Sequence, residues 1–363
     1  MTEKLFIKEL SVRNFRSLKK FDTSGNFGQI NLITGKNNSG KTSLLEALFL
    51  NLGPTNPELW INISGRRGLI IRALGPTTAS YLFHQKNTLD PIHFEIETLN
   101  HSSSKLQIKH IEPTTYEIPD LSSETEERAL SSIPAITDKE VATGLELTFT
   151  LKDREPIVTR AVISNNRLNI ERNGEDIYPE SVYVSAGNVP NPREESKRYD
   201  QLNRVNSVPK FERALRLIEP NLVRTSLAIE NNETIIHGDV GYGLVPLALL
   251  GSGSKRLTSI LLGLTYSDKG VVLIDEIENS FHYSVLEGLW TSIAEFTENY
   301  SGQIFVATHS KECTEAALKI FSKKKQHLDF RLHRLDRKID KTEIFTFDKN
   351  QLEAALETGW EVR

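Results

Sequence analysis

The first fifty residues carry two runs of β-branched and apolar residues ending in turn residues, LFIKELSVRNF and QINLITG. They are followed by TSLLEALFLNL, whose apolar positions recur at helical spacing. The pattern predicts strand, glycine-rich loop, helix. From about 53 to 186 it changes to short candidate strands, PIHFEIETL, KLQIKHI, GLELTFTL, IVTRAVIS, RLNIER and SVYVSA, separated by polar loops. These predict an antiparallel, β-rich lobe. Within it, residues 112–140 are acidic, Ser/Thr-rich and weakly patterned, which predicts a mobile surface excursion.

Residues 187–221 are polar with helical spacing and predict a small helical lobe of two helices broken near Pro209. Two strands, VRTSLAIE and ETIIHGD, come next, then the turn LGSGSKR at 250–256 and a helix from about 254. Strand VVLIDE, helix SVLEGLWTSIAEFTENY, strand QIFVAT, a helix from 311 and a closing strand pair with a helix complete the chain. Such alternation predicts a parallel sheet with helices on its faces, an α/β fold. The chain is read as one head over 1–363, with 1–52 and 240–363 as its core. No sustained heptads and no fixed-period repeats are present, which argues against a coiled-coil arm or a solenoid.

Composition narrows the class without naming a partner. A chain of 363 residues with 38% hydrophobic and 25% charged residues and a net charge of −4 has the balance of a soluble globular protein. No stretch has the length or apolarity of a membrane span, and the N-terminus lacks a signal peptide's apolar core. One cysteine, Cys313, fits a reducing cytoplasm and a packing role. The slightly acidic balance gives no support for intrinsic nucleic-acid affinity, and the basic run near 323–334 reads as a solvated face.

The chemistry enters at GKNNSGKT: Gly35, Lys36, Asn37, Asn38, Ser39, Gly40, Lys41 and Thr42. It matches G-x-x-x-x-G-K-[ST] between a strand and a helix, where curled backbone N–H groups and a helix N-terminus face a phosphate. Lys41 would reach the β- and γ-phosphates of ATP, and the Thr42 hydroxyl would ligate Mg2+. VVLIDE delivers Asp275 and Glu276 to the end of a buried strand. There Asp275 would hold the metal shell and Glu276 would orient or deprotonate the attacking water. After QIFVAT, His309 is expected at the next strand's edge, donating to a phosphate oxygen or positioning that water.

With these residues the chain resembles ABC-type ATPases of the RecF, SMC and OLD group. The stretches that carry the likeness are LSVRNFRSLKKF, INLITGKNNSGKTSLLEAL, LLGSGSKRLTSILLGL, VVLIDEIENSFHYSVLEGLW and IFVATHSKE. It is most similar to stand-alone OLD-like ATPases of bacterial antiphage systems such as PARIS, which act with a separate effector protein. The resemblance implies Walker A at Gly35–Thr42, Walker B with its catalytic glutamate at Asp275 and Glu276, a D-loop at Glu278–His282 and a switch histidine at His309. It also implies a basic residue near the nucleotide at Arg16 and a metal-contacting Q-loop glutamine at Gln85. Ser252, Gly253 and Ser254 take the signature role as a group, touching the γ-phosphate held by a second subunit. Against the usual signature pattern Gly251 and Ser252 are exchanged.

These readings lead to an Mg2+-dependent ATPase, a homodimer or higher homo-oligomer, controlling a TOPRIM or other nuclease effector in antiphage defence. Nothing after His309 offers the clustered acids of a nuclease domain. A RecF-like DNA-repair or chromosome-maintenance ATPase is the alternative. A transporter's nucleotide-binding subunit fits less well, because the β-rich interval before LGSGSKR is too long.

Overall fold

The computed structural model describes residues 6–354 except 24, 66–77, 100–101, 117–139, 165–166, 173–177, 188–190, 268, 299, 325–327, 349 and 353. Its frame is a 13-stranded sheet that changes character across its width. The parallel half is built from β3 (Ile30–Thr34), β9 (Val182–Val184), β13 (Val271–Ile274), β14 (Gln303–Ala307) and β15 (Phe330–Arg337). In it β3 lies between β14 and β15, and β13 between β14 and β9, with all these neighbours parallel. An antiparallel half continues through β16 (Thr342–Phe347), β2 (Leu18–Asp22) and β1 (Ile7–Phe15), joined to β15 by a parallel bridge from β16 to β2. It ends in a meander of β4 (Ile92–Thr98), β5 (Ser103–Tyr116), β6 (Glu140–Leu151), β7 (Ile157–Ser164) and β8 (Arg167–Glu171). The β-rich lobe is therefore an extension of the same sheet.

The parallel strands read as unbroken apolar runs because both of their faces are covered. Val271 and Leu273 of β13 enter one hydrophobic cluster with helix α1 (Lys41–Leu52), and Val272 and Ile274 enter the other. That second cluster includes α5 (Ser252–Tyr266), α6 (Leu286–Thr297) and α7 (Lys311–Lys319). Strand ends in such a layered structure open toward helix N-termini, where ligands bind.

Several expectations change. SVYVSA belongs to the parallel core rather than the antiparallel lobe, because Val182, Tyr183 and Val184 are all buried and pair with β13. Residues 58–65, expected among strands, form helix α2 (Glu58–Gly65), with Trp60, Ile63 and Ser64 buried at helical spacing and Asn56 Oδ1 accepting from the Glu58 N–H at 3.0 Å. The helical lobe is, as expected, two helices broken near Pro209, α3 (Pro192–Arg204) and α4 (Val208–Leu215), with Pro209 in the first turn of α4, a position where its missing N–H costs nothing. VRTSLAIE and ETIIHGD form β10 (Arg224–Glu230) and β11 (Glu233–Asp239) of a separate sheet whose third strand, β12 (Leu244–Pro246), had no sequence signal. The excursion expected at 112–140 is shortened at its ends by strand pairing out to Tyr116 and Glu140, and 117–139 lie outside the described residues.

Candidate nucleotide site

The phosphate loop leaves β3 at Thr34 and curls at Gly35, Asn38 and Gly40, whose φ angles are 138°, 64° and 105°. Glycine is required at Gly35 for two reasons: the left-handed backbone, and the Leu335 carbonyl oxygen, which would stand 2.5 Å from an added Cβ. The loop ends at α1, whose first turn has no acidic residue and no side-chain cap, so its N–H groups remain for an anion. Lys41 folds back over its own loop, donating to the Gly35 carbonyl at 2.7 Å and the Lys36 carbonyl at 3.0 Å. Burial lowers its pKa, and the nearby charges of Asp275, Glu278 and Glu276 oppose that shift.

Asp275 and Glu276 follow β13. Asp275 is 6% exposed and its N–H donates to the Val184 carbonyl at 2.9 Å. Glu276 has φ 46°, a left-handed backbone that costs a non-glycine residue about 1–3 kcal/mol. A buried arginine fastens this turn from beneath. Arg256 of α5 donates to the carbonyls of Ser185 and Asp275 and, at 3.4 Å, to that of Glu276. Burial lowers its pKa against the opposing charges of Asp275, Glu276 and Glu278. β14 then delivers Thr308, buried, and His309, whose side chain is 49% exposed. Glu278 Oε1 accepts from the His309 and Ser310 N–H groups at 2.9 and 3.2 Å and lies 2.9 Å from His309 Nδ1. Ser310 caps α7 by accepting from the Cys313 N–H at 3.0 Å.

One cleft of ≈ 590 Å³ gathers Arg16, Asn37, Asn38, Gly40, Lys41, Thr42, Gln85, Asp275, Glu276 and His309 along its lining. Gly35, Lys36 and Ser39 belong to the loop but not to that lining. At the rim, Arg16 Nε lies 3.4 Å from Glu46 Oε2, with the two side chains 9% and 2% exposed. The Arg16 N–H donates to the Leu82 carbonyl at 2.8 Å and its carbonyl meets His84 Nδ1 at 2.8 Å, so the β1–β2 turn and the segment carrying Gln85 hold each other. A larger cavity of ≈ 680 Å³ beside β9, lined by Glu195, Arg198 and Tyr266 among others, has no phosphate loop, and the chemistry favours the smaller cleft. Among the described residues no cluster of three or more His, Cys, Asp or Glu side chains could hold a metal by itself. A hard cation here would depend on the Thr42 hydroxyl, the Asp275 carboxylate and phosphate oxygens, which suits Mg2+.

LGSGSKR sits elsewhere. Gly251 has φ 113° with open space around it, and α5 begins at Ser252. Ser252 is exposed, Gly253 is buried with its Cα side facing the Ser280 carbonyl, and Ser254 is 1% exposed. None of the three lines the cleft. Sequence reasoning gave Arg256 no role and treated Glu278 only as the start of a loop. Their signals were the arginine closing LGSGSKR and a third acid two residues beyond Glu276.

The family model described as "AAA domain, putative AbiEii toxin, Type IV TA system" matches residues 30–312. A Helicobacter pylori protein named ATP/GTP phosphatase is 24% identical over 347 residues, covering 85% of this chain and 86% of its own. The Pyrococcus furiosus Smc head domain, solved with an extended coiled coil and the C-terminal domain of ScpA, superposes with a TM-score of 0.51 at 12% identity, covering 98% of this chain and 99% of that one. The α/β fold expected from sequence is thus that of an ABC-like P-loop head. The match spans more than half of the chain, and the protein belongs to this AAA-domain family, as a P-loop ATPase of ABC-like fold.

Proposed function

We propose that the protein binds ATP with Mg2+ in the cleft around Lys41 and hydrolyses it as a head-to-head homodimer. In that dimer the Ser252–Ser254 turn of each subunit closes the other's site. The observation that carries this reading is the placement of the two turns: Lys41, Thr42, Asp275, Glu276 and His309 share one cleft, and the exposed helix start at Ser252 stands outside it. The loop N–H groups and Lys41 hold the β- and γ-phosphates, and Glu276 orients the attacking water. Magnesium, when bound, neutralises phosphate charge beside Thr42 and Asp275. Arg16 and Gln85 line the rim of the same cleft, which supports contacts to nucleotide for the first and to the metal shell for the second.

Nucleotide state would then control a separate effector protein, a TOPRIM or other nuclease, in bacterial antiphage defence within the cytoplasm. The toxin and TA-system wording of the family and the OLD-like motifs support this layer. No helix among the described residues is long and apolar enough to cross a membrane. The decisive experiment is Glu276→Gln in Mg-ATP. Hydrolysis falls about 10²–10⁴-fold, as for loss of a general base, and light scattering reports a trapped dimer. A variant that stays monomeric in Mg-ATP would sink the dimer mechanism. For the defence layer, Lys41→Ala in the gene with its neighbours abolishes protection in plaque assays, and undiminished protection rejects it.

A further inference from the structure

Glu278 is not one of the acids that face the cleft, yet it is bound to the one histidine among the cleft's lining residues. We infer that Glu278 is a positioning residue that fixes His309 as its Nδ1–H tautomer, so that the ring presents Nε2 as an acceptor to the attacking water rather than a donor to phosphate. The inference rests on the ATPase reading above.

Three contacts meet on one oxygen. Oε1 of Glu278 accepts the backbone N–H groups of His309 and Ser310 at 2.9 and 3.2 Å, which leaves it the acceptor toward Nδ1 at 2.9 Å. An oxygen that already accepts two N–H groups presents a lone pair to its third neighbour, so the hydrogen in that contact belongs to the ring. A neutral imidazole with its proton on Nδ1 carries a lone pair on Nε2, the nitrogen Glu278 leaves unbonded on a half-exposed side chain that lines the cleft. The carboxylate is held in place by these three contacts on Oε1 and by a side chain that is only 12% exposed. The histidine is equally constrained. Thr308 donates its N–H to the Ile33 carbonyl at 3.0 Å on one side, and Ser310 caps α7 on the other. This is the arrangement in which a buried carboxylate orients a histidine through one nitrogen and leaves the other to face the nucleophile. The step it serves is balanced: Nε2 accepts a hydrogen bond that fixes the water, the Glu276 carboxylate takes the water's proton as its oxygen attacks the γ-phosphorus, and ADP leaves with the electrons of the broken P–O bond.

The segment that Glu278 opens also packs against the start of α5. Glu278 opens the segment whose Ser280 carbonyl packs 3.1 Å from the Cβ position of Gly253, at the start of the exposed turn.

The test combines kinetics and spectroscopy on the full chain. Glu278→Gln should lower kcat about 10–100-fold, the range for losing a carboxylate that orients a functional histidine, with KM for ATP within about twofold. In a His309→Gln background the same change should cost less than about twofold, because residues acting as one unit are not additive. Equal losses in both backgrounds, or a KM that rises as kcat falls, would assign Glu278 a merely structural role and overturn the inference. Independently, ¹⁵N spectra of histidine side chains in alkaline buffer, with His309 assigned by its absence in His309→Gln, should show the Nδ1–H form in the nucleotide-free wild type. Its loss is expected in Glu278→Gln. An active wild type showing the Nε2–H form overturns the role of Glu278 alone. A wild type with the Nδ1–H form and no ATPase activity overturns the function on which the role rests, and the water-positioning step with it.

Discussion

Two glycine-rich turns in this molecule lead into helices, and the fold treats them in opposite ways. Gly35–Thr42 is walled in: its glycine faces the Leu335 carbonyl, its lysine is folded over its own carbonyls, and acids and a histidine converge on it. Gly251–Ser254 is bare on its outer side, with nothing within 4 Å of a Cβ at Gly251 and Ser252 exposed. The difference teaches that the same local device, a helix N-terminus behind glycines, is a site only where charge and shape converge on it. The second turn lacks that convergence within its own chain, which is why the proposed mechanism supplies it from a second copy.

The comparison breaks most visibly if Lys41 is dispensable. Lys41→Ala is expected to lower kcat/KM for ATP on the order of a thousandfold, about 4 kcal/mol at ~1.4 kcal/mol per decade, in a phosphate-release assay. Ser252→Arg should act on the other turn: a loss of about 100-fold, ~2.7 kcal/mol, with nucleotide affinity of the isolated subunit unchanged by calorimetry. Mixing the two inactive variants is the sharper version. Random pairing in a twofold dimer leaves one intact composite site in half of the dimers, restoring roughly a quarter of wild-type activity; no recovery would mean that both turns serve the same subunit's ATP.

Backbone tolerance should follow the same division. Gly35→Ala combines a left-handed φ with a 2.5 Å approach and is expected to destabilise by about 3 kcal/mol, against about 1 kcal/mol for Gly251→Ala, where only the φ is unfavourable. Urea titrations giving equal costs would contradict the enclosed-versus-open contrast. The smallest effect is a labelling rate. Cys313, on α7 close behind His309, is buried and its thiol is pushed up to about 12 by that burial, so a thiol reagent reaches it only through opening. Mg-ATP at ten times its Kd should slow labelling about tenfold. Lys41→Ala should erase that protection, and Ser252→Arg should leave it intact.

Much of the first turn could be read from residues alone. Gly35, Gly40, Lys41 and Thr42 occupy fixed spacings, and the runs INLIT and SLLEALFL around them have unmistakable strand and helix patterns. Asp275 and Glu276 could be read for the same reason, since four consecutive apolar residues specify a buried strand and so the place where it ends. SVYVSA misled because a short buried strand looks the same in a parallel core as in an antiparallel lobe; partner strands decide, and these are ninety residues away. Glu278 and Arg256 were opaque for a related reason. A charge's value depends on what faces it, and their partners are backbone groups at His309, Ser310, Asp275 and Ser185.

The sequence by itself determined the α/β class, the strands and helices that flank the phosphate loop and the acids, and the chemical identity of those residues. Those depend on local periodicity and on spacings within a few residues. Only the tertiary structure decided that the β-rich segment continues the core sheet, that Gln85 and Arg16 meet the loop at one cleft, and that Ser252 stays outside it. It alone bound His309 to Glu278. Such placements come from strand order and from the packing of distant segments, energies that no short window of residues contains.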